Sequence, residues 1–297
     1  SGRVGYRRFK RRSLSVFTGR LFYFCKYCNL LIEIRLSLYL IIKIYMPKIS
    51  IITPTYNSER TIDGTINALL NQSFNDFEYI IIDGVSKDNT IIEIEKYISL
   101  FKAKGISVTI INEPDKGVYD AMNKGISLAK GDLIGITNSD DWYENNALEL
   151  VWNRYSESNV DKDNSMVYGI ERVWKDDKIF NVQRRGASFI SESVLPHSAF
   201  FVAKKVYERY GAFDLNVKIL ADYDFICRCV SKGVKLVELD VVVSNFRLGG
   251  ISSSYFDFYS DFYKIKHKYG FISDKKYKEL KFVLKIKGLI NKVIKRW

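Results

Sequence analysis

Four apolar runs dominate the first half of this chain: Ile49–Thr53, Glu78–Asp83 (EYIIID), Ser107–Asn112 and Leu133–Thr137. Between them lie helix-length segments. The turn Pro54–Ser58 leads into a helical stretch to about Gln72, and helices are expected at Thr90–Ala103, Val118–Ala129 and Glu144–Ser158. Continuous apolar strands separated by helices of this length specify a parallel sheet covered on both faces. The expected fold class is therefore α/β, a mostly parallel sheet flanked by helices. The second half is more mixed, with short strands near Met166–Tyr168, Ile179–Gln183 and Ala199–Val202 and helices at Lys204–Tyr210 and Ala221–Lys232. No linker, repeat or low-complexity segment separates the halves, so a single domain over 46–255 is expected.

In an open parallel sheet, ligands bind beyond the carboxyl ends of the strands. Those ends read Thr53-Pro54-Thr55-Tyr56-Asn57, Asp83-Gly84, Glu113-Pro114-Asp115 and Asn138-Ser139-Asp140-Asp141. One acidic turn would be a helix cap. Four polar ends on one edge, three of them acidic, mark a site. The first turn lacks both G-x-G-x-x-G and G-x-x-x-x-G-K-[ST], which argues against a dinucleotide fold and a P-loop. An acidic site can hold a nucleoside diphosphate only through a divalent cation, which needs one or two carboxylates plus phosphate oxygens. Asp140 and Asp141 supply that pair for Mn²⁺ or Mg²⁺.

The net charge of +12 suggests a nucleic-acid binder until it is divided along the chain. Residues 1–48 carry +10 and residues 261–297 carry +9, leaving −7 on 49–260. A nucleic-acid binder places its basic patch on the folded domain; here that domain is acidic, so no nucleic-acid partner is expected. From Lys275 to Trp297, Leu280, Phe282, Val283, Ile286, Leu289, Ile290, Val293 and Trp297 fall near helical spacing with lysines between them. That pattern predicts a basic amphipathic tail over 256–297, lying on an anionic membrane surface. No stretch reaches 18 uncharged apolar residues, so no confident span is expected. Residues 1–45 begin with a basic run and fit neither a signal peptide nor a span. Met46 is read as the natural start, with 1–45 as upstream or non-native sequence. Cys25-x-x-Cys28 lacks a second ligand pair at zinc spacing, because Cys227 and Cys229 are too close together to supply it.

ISIITPTYNSERTI, YIIIDGVSKDNT, NEPDKGVYDAMNKGI, KGDLIGITNSDDWY and ADYDFICR, in that order over about residues 48–250, resemble the motifs of family 2 glycosyltransferases. The resemblance implies the glycosyltransferase A (GT-A) fold and inverting transfer of a sugar from a nucleotide-sugar donor to a glycan or lipid-linked acceptor. It implies a setting in bacterial cell-surface polysaccharide synthesis, and the basic tail places the expected enzyme at the cytoplasmic face of the membrane. Carried over by position, Thr53, Tyr56 and Asn57 match the turn that meets the base, and Asp83 the carboxylate at base or ribose. Asp115 and Asn123 fall beside the nucleotide and donor sugar. Asn138-Ser139-Asp140 takes the D-x-D place with its first acid replaced, which leaves Asp140 the stronger metal ligand and Asp141 in support. Asp222 matches the catalytic base, with Ala221 where the family often has Glu. His197 matches an acceptor-side position. Arg228 is open between pairing with a site carboxylate and facing solvent, and Arg247-Leu248-Gly249-Gly250-Ile251-Ser252 resembles a loop that closes over the donor.

Overall fold

The computed structural model of the chain describes residues 46–184, 186–249 and 255–294. The readings made for residues 1–45, for Gly250–Ser252 and for Trp297 lie outside the described residues. The chain divides at Met46 into two units, and the fold below is that of the second, Pro47–Trp297.

In chain order the elements are β1 (Ile49–Thr55), α1 (Ile62–Leu70), β2 (Phe77–Asp83), α2 (Thr90–Glu95), α3 (Ile98–Ala103), β3 (Ser107–Asn112), α4 (Val118–Leu128), β4 (Leu133–Ile136), β5 (Trp142–Tyr143) and α5 (Ala147–Ser156). They continue with β6 (Ser165–Lys175), β7 (Lys178–Gln183), two 3₁₀ turns at Ala187–Ser191 and His197–Ala199, β8 (Phe200–Ala203), α6 (Lys204–Tyr210), α7 (Ala221–Ser231), β9 (Lys235–Arg247), α8 (Tyr255–Lys268) and α9 (Asp274–Ile294). One sheet runs β3-β2-β1-β4-β8-β6-β9-β5, with β7 paired to β6.

The first half follows the expected pattern. Every residue of β1, β2 and β4 is buried, as strands sandwiched between helices require. Parallel registers pair Thr55 with Asp83 and Asp83 with Asn112, so the strands finish flush. That alignment delivers the four polar ends to one edge. The helix expected over 90–103 is divided at Lys96 and Tyr97, since only Phe101 of its second half reaches the core.

The second half makes the sheet mixed. β8 inserts antiparallel between β4 and β6, while β6 and β9 run parallel. The 13-residue β9 was not expected as a strand. It is partly exposed along most of its length and carries Glu238 and Asp240, so it lacks the continuous apolar run that revealed the others. β5 pairs Trp142 with Asn245 on β9, which closes the Asp140-Asp141 turn against the end of that strand.

The C-terminal tail also divides. α8 belongs to the domain: Ile265 is buried, Phe258 and Phe262 pack on the core, and Asp261 is buried. On α9, Phe282, Val283 and Ile286 are 64%, 47% and 41% exposed. No helix among the described residues is long and apolar enough to cross a membrane.

Candidate active site

The turn after β1 and the loop after β2 are sewn together by short polar side chains. Asn57, at φ 52°, accepts from the Lys87 amide through Oδ1 and donates its own amide to Ser86 Oγ, both at 2.8 Å. Asparagine tolerates this left-handed conformation because its side chain bonds locally. Ser86 donates its amide and its hydroxyl to the two carboxylate oxygens of Asp83. Asp83 is fully buried and so organises the loop rather than projecting from it. Val85 sits at φ 64°, a strained setting for a β-branched residue.

Two side chains converge over Gly84. A Cβ on that glycine would lie 2.6 Å from Asp115 Oδ2 and 3.4 Å from the Tyr56 ring. A side chain at residue 84 would have to displace the Asp115 carboxylate. Tyr56 is 59% exposed, and Asp115 accepts from the Gly117 amide at 2.8 Å. Sequence reading named Tyr56 and Asp115 but gave Gly84 no role. Thr53 is fully buried. Asn123 is committed elsewhere: its amide pairs in both directions with the Phe213 backbone at 2.9 Å, tying α4 to the segment before α7.

The turn after β4 separates its two acids. Asp141 is fully buried; Oδ2 accepts from Asn138 Nδ2 at 3.0 Å and Oδ1 from the Arg247 amide at 2.9 Å. Its carbonyl accepts from the Thr65 hydroxyl at 2.7 Å. Asp140 is partly exposed, and its carboxylate bonds to no other residue among those described. Burial raises the Asp140 carboxyl despite its own amide and the Arg247 charge, and burial plus the Asp140 charge push Asp141 well above the carboxylate range. Paired acids held this way have more negative charge than their surroundings neutralise, the condition a divalent cation relieves. Among the described residues no three acids, histidines or cysteines gather as a metal cluster. The donor set therefore fits an ion held by Asp140 together with substrate phosphate oxygens.

Asp222 stands in the first turn of α7. Its side chain is 8% exposed, and both oxygens are occupied: Oδ1 accepts from the Tyr119 hydroxyl at 3.0 Å, and Oδ2 faces His197 Nδ1 at 3.1 Å. The Tyr119 hydroxyl also reaches the Ile219 carbonyl. Burial, reinforced by the Asp222 charge, pushes Tyr119 well above its ordinary value, so it remains a hydrogen-bond donor. His197 comes from the 3₁₀ turn before β8. Burial alone would lower its pKa. The hydrogen bond and charge of Asp222, with the charges of Asp141 and Glu171, outweigh that and raise it. Both Asp222 and the more distant Asp141 and Glu171 thus favour the charged imidazole. Tyr119 carried no sequence signal, because it lies 103 residues from its partner.

A raised folded-state histidine pKa contributes stability that is complete below the unfolded value, about 6.5, and is lost as pH rises through the folded value. The melting-temperature advantage of the wild type over His197→Gln should therefore be larger near about pH 6 than near about pH 9. A gap that stays constant or widens with pH would contradict the assignment.

Arg228 neither pairs with a site carboxylate nor simply faces solvent. It donates to the Ala212 carbonyl and packs over the Phe225 ring at 5.4 Å. Arg247 stacks over Trp142 at 5.4 Å, while its amide caps Asp141. Burial pushes the thiols of Cys227 and Cys229 up to about 12, which makes them inert.

A mixed sheet with acidic turns at one edge is the architecture of GT-A glycosyltransferases. S. aureus TarS in complex with UDP-GlcNAc superposes with a TM-score of 0.60 at 20% identity, over 73% of this chain and 65% of that one. The mannosyltransferase PcManGT from Pyrobaculum calidifontis, in complex with GDP-Man and Mn²⁺, gives 0.52 at 17% identity, over 74% and 62%. This chain thus spans less than two thirds of each of those structures. In sequence, residues 50–211 match the family model described as glycosyl transferase family 2. A PGL/p-HBAD biosynthesis glycosyltransferase of Mycobacterium tuberculosis is 30% identical over 220 residues, covering 71% of this chain and 81% of the relative. The chain belongs to glycosyl transferase family 2, and it is a glycosyltransferase enzyme.

Proposed function

We propose that this enzyme performs an inverting, metal-assisted transfer of a sugar from a nucleotide-diphosphate donor to a hydroxyl of a glycan or lipid-linked acceptor. The observation that carries this reading is a buried carboxylate, Asp222, held at 3.0 Å by the Tyr119 hydroxyl and at 3.1 Å by His197 Nδ1, in a chain whose sheet edge also carries the Asp140-Asp141 turn.

Tyr56 and Asp115, converging over Gly84, form the base and ribose end of the donor site. Asp140 holds a divalent cation, with Asp141 supporting the turn from within. When bound, that ion neutralises charge on the departing diphosphate. Asp222 takes the proton of the acceptor hydroxyl as it attacks the anomeric carbon. Tyr119 and His197 aim its two oxygens, and His197 lines the acceptor side.

The first experiment is a thermal-shift screen of UDP-, GDP-, dTDP- and CMP-sugars, each with Mn²⁺ and with EDTA. A ligand specific to the folded state raises its apparent stability by mass action. One nucleotide class should stabilise the protein, and only with metal. No shift from any donor would favour the second reading, a catalytically inactive nucleotide- or glycan-binding relative.

We further propose that α9 attaches the enzyme to an anionic membrane at its cytoplasmic face. Exposed Phe282, Val283 and Ile286 stand among its lysines, the combination interfacial helices use. Vesicles rich in anionic lipid should retain the full chain and release a variant with all three replaced by Ser. Equal retention of both proteins would remove α9 from this role.

A further inference from the structure

We propose that α8 is a strap that positions the catalytic base, acting through Lys268 on Asp224 and through Asp261 on the Ile219 amide. The inference rests on the reading of Asp222 as the base.

Asp222 and Asp224 stand two residues apart in the first turn of α7, which places them on opposite faces of the helix. One faces the site. The other is 1% exposed and faces α8, where its Oδ1 accepts from Lys268 Nζ at 2.8 Å and from the Tyr269 hydroxyl at 3.2 Å. Asp224 Oδ2 has no hydrogen-bond partner among the described residues. Two turns earlier in α8, Asp261, itself 8% exposed, accepts from the Ile219 amide at 2.9 Å. The Ile219 carbonyl is the group that the Tyr119 hydroxyl reaches, and that same hydroxyl bonds Asp222. Between the two polar contacts, the Tyr223 ring meets Phe262 at 5.7 Å. Contacts from α8 therefore fall at residues 219, 223 and 224, on either side of residue 222.

Stability alone does not account for this arrangement. A buried carboxylate paired with a half-exposed lysine gains little over an apolar contact of the same shape, because desolvation consumes most of the attraction. What such a pair supplies is registry. It fixes the rotation of the first turn of α7, and that rotation sets how Asp222 meets Tyr119 and His197. Small displacements of a reacting group are costly in rate even when the substrate still binds.

The test compares wild type, Lys268→Met and Lys268→Arg in the full chain, with two readouts. One is steady-state transfer. The other is the NMR titration of His197, tractable because the chain has two histidines and assignable with His197→Gln. Folded Lys268→Met should turn over about tenfold more slowly, with donor KM within about twofold. Its His197 midpoint should fall by at least about half a unit as Asp222 withdraws. Lys268→Arg should restore both. A folded Lys268→Met with wild-type turnover and wild-type His197 titration would overturn the proposal. The titration needs no transfer activity, so it decides the strap even if the wild type transfers no sugar, a result that would instead sink the enzymatic reading. Should Lys268→Met fail to fold, Asp261→Ala carries the same two readouts from the other end of α8.

Discussion

Asp222→Asn should lower turnover by about 10³-fold while leaving donor affinity within about twofold, since a positioned general base contributes about 10²–10⁴. The substitution preserves shape, and Asn Oδ1 can still accept from Tyr119. It removes the lone carboxylate able to take a proton between Tyr119 and His197. The loss should therefore appear in kcat and not in donor KM, the signature of an interaction made only in the transition state. Steady-state kinetics alongside calorimetric donor titration separates the two. Turnover within tenfold of wild type would take Asp222 out of its role and leave it as a structural partner of Tyr119 and His197.

The second large effect is expected at Asp140. Replacement by Ala should reduce donor affinity in Mn²⁺ by about 10²-fold, to the level the wild type shows in EDTA, because the ion would lose its protein carboxylate. Asp141→Asn should behave differently. Both Asp141 oxygens already accept hydrogen bonds from within the protein. An amide presents a donor where the Asn138 or Arg247 N–H also donates, so that variant should lose stability, on the order of 1–3 kcal/mol. Calorimetry with and without Mn²⁺, paired with melting curves, distinguishes the two aspartates. Equal wild-type affinity in Mn²⁺ and EDTA would remove the metal from the donor site.

The contrast between neighbouring acids shows how far sequence reading reaches. Asp140 and Asp141 are equivalent as letters. Their separation comes from Arg247, whose amide arrives from 106 residues away to occupy Asp141. Asp83 and Asn123 repeat the lesson. Each stands where the family motif places a donor contact, yet Asp83 is committed to Ser86 and Asn123 to the Phe213 backbone. A polar side chain at a strand end has two employments, ligand and scaffold, and the choice depends on which donors the fold brings within 3 Å. The same limit hid β9 and α8. Glu238 and Asp240 interrupt the apolar pattern of β9, and the buried face of α8 is defined by partners on α7.

By itself the amino-acid sequence determined the parallel half of the sheet, the edge on which the site lies and the order of the motifs. Those features depend on local runs of apolar residues and on turns adjacent to them, and such information is contiguous in the chain. Tertiary structure alone decided which of two adjacent carboxylates is occupied by protein donors, which tyrosine and histidine pair with Asp222, and that α8 is part of the domain. Each of these is a hydrogen bond or burial between residues distant in sequence, and no local pattern encodes the distance between them.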